Sequence, residues 1–522
     1  MSGLQARPRD ESTTGSTADA AAGPLDKRRQ SWVLAACVLG SSMAFIDSSV
    51  VNVALPKMES ELETTLAYMT WVINAYTLCM SALLLIGGAA ADQIGRRRIF
   101  MIGISVFAVA SIGCGFAPNV EILILARAVQ GVGAALLIPC SLAIIGAAFG
   151  EKERGGAIGI WSGASAIAAG SSPLLGGWLV DHVSWRAIFL INPIIALPTI
   201  LIALRHVPES IDTEAKKGLD VTGATLAFFG LGLPVFGLIA ASERGWSNPV
   251  VIGSIGVGSI LLVAFVAAER RSQTPMMPLN VFTSLTFSGV NILTLLLYGA
   301  LGGTMFFLPF LLIQVHGYSA TAAGGAFMPF TIILAVLSKW GGGLVDRFGA
   351  RLPLIIGPSV VALGIGLLSV PGTGGSYWTT FFPPMVVLGF GMAITVAPLT
   401  TTVLNSVAQH QTGVSSGINN AVAQVASLLL IAILGTVGIA TLNHSVDQRL
   451  TGAGPEVRQI ADTARRGFVM PTIPPTASQQ TREAAHAVIA HSFLDTIRHV
   501  MMITTALALA GAAAAAVTIK RK

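Results

Sequence analysis

Charge is what this chain has least of. Only 11% of its 522 residues are Asp, Glu, Lys or Arg, against about a quarter in a soluble domain. With 53% hydrophobic residues and a mean hydropathy of +0.74, the scarcity excludes a soluble globular enzyme and a disordered chain. It also argues against nucleic-acid binding despite a pI near 9.3, because basic residues in a membrane protein set topology rather than bind phosphate. Cysteine is scarce too. Cys37, Cys79, Cys114 and Cys140 each lie in an apolar run, with no CxxC spacing. They read as small core residues, and no metal site is expected. HExxH, P-loop and GxSxG patterns are absent and no histidine lies deep in an apolar run, so no catalytic set is expected and the chain does not read as an enzyme. Without an ATP site, an ion gradient or a partner must supply energy for any transport, and no cofactor is implied.

What is present is length of apolar sequence. Runs of spanning length fall near 32–54, 69–91, 99–117, 122–145, 157–179, 187–205, 221–240, 249–268, 287–311, 320–338, 352–371, 380–404, 415–440 and 494–518. They predict an all-α integral membrane protein of fourteen spans in the lipid bilayer. Residues 1–30 read as a disordered tail, with no convincing signal-peptide cleavage site. An even count puts both termini on one side. Lys27, Arg28, Arg29, Arg96, Arg97, Arg98, Lys152, Arg154, Arg205, Lys216, Lys217, Arg270, Arg271, Lys339, Arg347, Arg351, Lys520, Arg521 and Lys522 all fall on that side. The positive-inside rule makes it cytoplasmic, and the long segment 441–492 becomes an external loop.

One segment recurs. Gly88-Ala-Ala-Ala-Asp92-Gln-Ile-Gly95-Arg96-Arg97 follows span 2, and Gly342-Gly-Leu-Val-Asp346-Arg-Phe-Gly349-Ala-Arg351 follows span 10. The offset is 254 residues, whereas two six-span halves would be related by roughly 200. The excess matches spans 7 and 8. The expected organisation is a six-helix half over 31–206, a two-helix insert at 221–268 and a pseudo-symmetric six-helix half over 285–518, with a substrate site between the halves.

Away from span ends, two ionisable residues lie inside the spans. Asp47 is about 15 residues into span 1, roughly 22 Å from the cytoplasmic end. Arg127 is 5 or 6 residues into span 4, which runs the other way, so it sits about 21 Å from the same end of a ~30 Å core. Matching depth predicts that they meet. Intramembrane charges are costly and are usually paired or functional. Either a fixed structural pair or a proton switch would fit. Desolvation favours the neutral acid and Arg127 the ionised one, so hydration of a cavity could tip the balance.

Taken together these residues resemble the major facilitator superfamily, in particular its fourteen-span drug:proton antiporter branch. The two repeated segments look like its signature cytoplasmic loop, Arg127-Ala-Val-Gln130-Gly131-Val-Gly133 like its RxxQGxG motif, and Phe45-Ile-Asp47 through Asn52-Val-Ala-Leu-Pro56 like the motif of the fourteen-span branch. Trp185-Arg186-Ala-Ile-Phe189-Leu-Ile-Asn192-Pro193 is similar to another. The span-5 antiporter motif is kept as Pro173, Gly176 and Gly177, with Ser172 in place of the usual preceding glycine.

The resemblance implies multidrug or antibiotic efflux across the cell membrane by a proton-coupled antiporter. One alternative is a dedicated exporter of a single metabolite or lipid; a non-transporting receptor or scaffold is another. It also implies that Asp47 and Arg127 couple protons, and that Gly88, Asp92, Gly95, Arg96, Arg97, Gly342, Asp346, Gly349 and Arg351 form a cytoplasmic gate. Pro173, Gly176 and Gly177 would hinge and seal span 5.

Candidate polar cavity residues are Asn52, Asn74, Gln130, Asn291, Gln314, Asn405, Asn419, Asn420 and Gln424. Apolar candidates are Met43, Trp71, Tyr76, Trp161, Tyr298 and Phe306. Aromatics and methionine suit lipophilic or cationic ligands, although any of these residues could instead be interhelical glue. Away from span ends, the lack of an acidic residue within the last six spans points to neutral or monocationic lipophilic substrates. The expected unit is a monomer handling protons and a small lipophilic molecule.

Overall fold

A computed structural model describes residues 26–211, 218–272, 275–407, 412–451, 453–466 and 477–519. Among them the chain is all-helical, with no strand. Of the disordered tail expected over 1–30, residues 1–25 lie outside the described residues, and Lys27–Gln30 instead begin helix α1, which runs to Glu61. There follow α2 (Leu66–Ile94), α3 (Arg96–Gly115), α4 (Val120–Ala148), α5 (Glu151–His182) and α6 (Ala187–His206). Next come α7 (Val221–Arg244), α8 (Pro249–Arg271), α9 (Leu285–Phe310, prolonged by a π turn to Val315), α10 (Ala320–Gly325), α11 (Met328–Gly342) and α12 (Leu344–Phe348). The last are α13 (Arg351–Leu367), α14 (Tyr377–Thr380), α15 (Phe382–Asn405), α16 (Thr412–Arg449), α17 (Pro455–Arg466) and α18 (Gln479–Thr518).

Among the described residues twelve helices, counting α10 and α11 together, are long and apolar enough to cross a membrane. The two remaining expected spans correspond to α5, of 32 residues, and to α13, an apolar helix of 17 residues. Helices α1 to α6 pack mainly on one another. So do α9, α11, α13, α15, α16 and α18. Helices α7 and α8 pack on each other, and α7 also lies against α2 and α16.

The bundle has two ends. At one, Arg29 Nε of α1 donates to the His206 carbonyl that closes α6, 2.9 Å away, and Gln30 Nε2 donates to Glu153 of α5. At the other, Glu61 accepts from Trp185 Nε1 at 2.8 Å and pairs with Arg186 at 3.5 Å. We call these the Lys27 end and the Glu61 end.

Segment 441–492 departs from the loop expected of it. Helix α16 continues to Arg449, α17 covers Pro455–Arg466, and α18 starts at Gln479. The reason is an apolar stripe too sparse to read as a span but spaced for a helix face. Leu442, Val446 and Leu450 of the α16 end pack with Ile489 and Phe493, and α17 adds Val457, Ile460, Ala461 and Ala464. Ser445 Oγ and Arg449 Nη2 both donate to Asp495 Oδ2, at 2.8 and 2.7 Å, tying the two long helices together.

Candidate functional site

The site is assembled by small residues first. A Cβ on Gly131 would strike the backbone carbonyl of Tyr76 in α2, and one on Gly133 would lie 2.8 Å from Cα of Phe107 in α3. Only glycine lets α4 approach both neighbours so closely. That contact turns Arg127 and Gln130 inward, toward α1.

Asp47 and Arg127, 0% and 1% exposed, form an ion pair in which Arg127 Nη1 donates to Asp47 Oδ2. Asp47 Oδ1 accepts from Gln130 Nε2 at 2.8 Å and from Asn192 Nδ2 of α6 at 3.2 Å. Arg127 Nη1 also donates to Gln130 Oε1 (2.6 Å), and its Nε donates to the Val72 carbonyl (3.1 Å). Ser111 of α3 accepts from both Gln130 and Asn192, at 2.7 and 3.2 Å. The guanidinium lies over the Tyr76 ring, 4.3 Å from its centroid. A buried charge pair is tolerable when its remaining donors and acceptors are satisfied, and five helices contribute here. Gln130 and Tyr76, expected in the cavity wall, thus belong to this network. Ser111 and Asn192 are members that sequence reasoning did not single out as site residues.

Between the two helix groups lies a central cavity of about 230 Å³, lined by Ser49, Asn52 and Val53 of α1, Gly170 and Pro173 of α5, Met305 of α9, and Phe330, Thr331 and Leu334 of α11; it shares helix α1 with the network but none of its residues. Of the cavity candidates only Asn52 lines it. Met43 and Phe306 are fully buried in the core instead, because bulky apolar side chains fill the gaps between helices. Trp161 donates to Ser41 Oγ at 3.0 Å, and Trp71 packs against Phe236 of α7. Asn74 is fully buried, and neither of its amide atoms has a partner among the described residues. Asn419 Nδ2 donates to Asn291 Oδ1 at 3.1 Å and to Thr294 at 2.8 Å, beside a second cavity. Tyr298, Gln314 and Gln424 are half-buried, and Asn405 and Asn420 are exposed.

The span-5 motif sits where the two helix groups touch. Gly176 meets Val50 of α1. A Cβ on Gly177 would strike the Ala320 carbonyl and come within 2.7 Å of Thr321 Cα, and one on Gly324 would come within 2.9 Å of Leu174 N. One turn beyond, Asp181 Oδ1 accepts from Ala320 N at 3.1 Å, and Oδ2 accepts from Thr321 N at 2.7 Å and from the Thr321 hydroxyl. A carboxylate at the start of α10 satisfies otherwise orphaned amides. At the Glu61 end α5 is therefore tied to α10, and Asp181 is a further residue that sequence reasoning missed.

At the Lys27 end Asp92 Oδ1 accepts from Arg96 Nε and Nη2, at 3.0 and 2.9 Å. The loop is held by a residue not anticipated, Glu209. It accepts from Arg97 N at 3.0 Å and pairs with Arg97 and Arg98 at 3.8 and 3.7 Å. These contacts all stay within the first helix group. Gly88 has only ordinary contact with Pro139. Gly95 has φ +126°, a region that penalises a side chain, and a Cβ there would lie 2.7 Å from Glu209 Oε1. Gly95→Ala is expected to destabilise by about 1–3 kcal/mol, read as a lower midpoint of thermal unfolding; an unchanged midpoint would refute this account of the turn. In the second copy Gly349 has φ +72°, and Arg351 Nη2 donates to the Ala516 carbonyl at 2.6 Å. Gly342 ends α11 and Asp346 lies in α12, and their side-chain surroundings are outside what the structure describes.

Comparison with known proteins places this geometry. The chain is 32% identical over 487 residues to the multidrug resistance protein Stp of Mycobacterium tuberculosis (strain ATCC 25618 / H37Rv), covering 92% of this chain and 90% of the relative. It is 30% identical to the tetracenomycin C resistance and export protein of Streptomyces glaucescens, covering 94% and 92% of the two chains. To the puromycin resistance protein pur8 of Streptomyces alboniger it is 35% identical, over 83% and 86%. Among solved structures, a bacterial homolog to the human lysosomal transporter Spinster, inward-facing and unoccupied, superposes with a TM-score of 0.63 at 18% identity, covering 94% of this chain and 98% of that one. Residues 37–431 match a single family description along most of the described bundle, and the chain, a multi-pass membrane protein and not an enzyme, belongs to the Major Facilitator Superfamily.

Proposed function

We propose that this chain is a proton-driven antiporter of the cell membrane that exports lipophilic drugs or antibiotics by alternating access. The observation that carries the reading is the buried Asp47–Arg127 pair, whose aspartate lies on the same helix as the cavity residue Asn52, five residues away. Relatives named for resistance and export support the substrate class. On this reading the molecule has fourteen spans, with a six-helix half at 31–206, an inserted pair at 221–268 and a second half at 285–518. It works as a monomer, with both termini cytoplasmic.

Protonation of Asp47 removes its charge and weakens its hold on Arg127, Gln130 and Asn192. Three helices, α1, α4 and α6, that now share one carboxylate are freed to shift. Deprotonation toward the cytoplasm re-forms the pair. Pro173, Gly176 and Gly177 with Asp181 close the external side; the Asp92 and Asp346 loops close the cytoplasmic side in the opposite state. The proton gradient supplies the energy, and no cofactor takes part.

The test is transport of a lipophilic dye by purified protein in proteoliposomes. An imposed pH gradient should accelerate dye movement several-fold over the leak, and a protonophore should abolish the gain. Transport that ignores the gradient would refute proton coupling; no transport of any of several unrelated lipophiles would refute drug export.

A further inference from the structure

A second cavity, of about 400 Å³, lies away from the central one. Its walls come from three parts of the chain: Leu85 of α2, Leu231 of α7, Phe265 of α8, Met277 of the strap before α9, Asn291 of α9 and Ala421 of α16. It therefore fills the seam where the first helix group meets the second, and α7 and α8 cover it from outside. Along α9, Asn291 stands 14 residues from Met305 of the central cavity, a separation of roughly 21 Å. It is a separate compartment, toward the Lys27 end.

Its size falls in the ~300–1,000 Å³ range of small-molecule sites. Among the described residues no charged side chain lines it, so an ionised ligand would enter unpaired and at a large desolvation cost. Two methionines of the strap, Met276 and Met277, give it an adaptable wall. The strap is pinned, because Met277 N donates to Glu269 Oε2 of α8 at 2.9 Å. The lining is almost wholly apolar, with a small polar spot at Ser288 and Asn291. Asn291 Nδ2 gives one proton to the Phe287 carbonyl and Oδ1 accepts from Asn419, which leaves the amide a second N–H proton. Ser288 donates to the Phe282 carbonyl, leaving its oxygen as an acceptor. An acyl chain has nothing to offer these groups; a compact lipophile carrying a carbonyl or ether oxygen does.

We propose that this cavity is a second binding site, taking a neutral lipophilic small molecule with an oxygen acceptor aimed at Asn291, held at the seam before it reaches the central cavity. The transported nature of that ligand rests on the export reading above; its binding does not.

The test uses the full chain in phosphatidylcholine nanodiscs with no gradient. One arm adds a small neutral diazirine ketone, the other a phosphatidylcholine with a diazirine on its acyl chain, and labelled peptides are mapped by mass spectrometry. The ketone should label the strap at 276–282 saturably. Ala421→Trp, and from the opposite wall Ala227→Trp, should each weaken that labelling about tenfold, or about 1.4 kcal/mol, while labelling at Met305 persists and reports a folded protein. Strap labelling that both tryptophans leave unchanged would overturn the site. So would loss at Met305 in parallel with the strap, or displacement of the ketone by the acyl chain. Failure of gradient-driven transport with strap labelling intact would sink the export reading alone.

Discussion

Asp47→Asn is expected to reduce gradient-driven dye transport to the leak rate of protein-free liposomes while the helix bundle stays folded. Asparagine keeps the shape of the side chain and an oxygen that can accept from Arg127. Its Nδ2 then faces Gln130 Nε2 and Asn192 Nδ2, which donate to the present carboxylate at 2.8 and 3.2 Å, so these amides must turn to re-pair. The substitution leaves Arg127 buried without its counter-ion, which costs about 3–5 kcal/mol before its remaining partners offset part of it. Arg127 retains the Val72 carbonyl, Gln130 Oε1 and the Tyr76 ring. What asparagine cannot do is exchange a proton, so the variant is fixed in a state equivalent to protonated Asp47. Monodisperse elution with a modestly lower unfolding midpoint would show the fold is intact. Wild-type transport by that variant would mean the pair only braces the helices.

Gly177→Val should abolish transport for a different reason. The valine side chain would press into backbone, the Ala320 carbonyl and Thr321 Cα, and backbone cannot rotate away as a side-chain tip could. Overpacking of this kind costs typically 1–3 kcal/mol. Here the strain falls on the α5–α10 seam at the Glu61 end, so it favours the state in which that seam is parted, by roughly 5- to 150-fold. A cysteine placed at Asn52 reads the shift. All four native cysteines are buried, so background reaction with an impermeant maleimide is low, and labelling of Asn52→Cys from the Glu61 side should rise by about that factor. Unchanged labelling with unchanged transport would show that the seam tolerates a side chain and is no seal.

Much of this was legible in the sequence because depth in a membrane is one-dimensional. Counting residues from each span end put Asp47 and Arg127 at one level, and the structure brings them into contact. Lateral placement is another matter. Gln130 is three residues from Arg127 and shares its helix face, yet type alone suggested a cavity liner. Met43 and Phe306 were drawn toward the cavity by the same reasoning. Asp181 and Glu209 sit at helix ends, where charge reads as topology. Their partners lie about 140 and 112 residues away, a pairing that no single sequence encodes locally. The repeated glycine-rich loops were plain as a pattern, but the conformation of Gly95 becomes a reason only once Glu209 stands beside it.

The helical prolongation of α16 has a mechanical meaning. Its 38 residues span roughly 57 Å, about twice a ~30 Å hydrocarbon core, and the excess emerges at the Glu61 end, braced by α17 and α18. Such a rod is a lever. Were the second helix group to rock about the bilayer midplane, a tip some 40 Å from the pivot would sweep about 7 Å for every 10° of tilt. Gln448, exposed near that tip, is thus a natural mount for a fluorophore or spin label: there, angular changes too slight to follow in the buried network become displacements of measurable length.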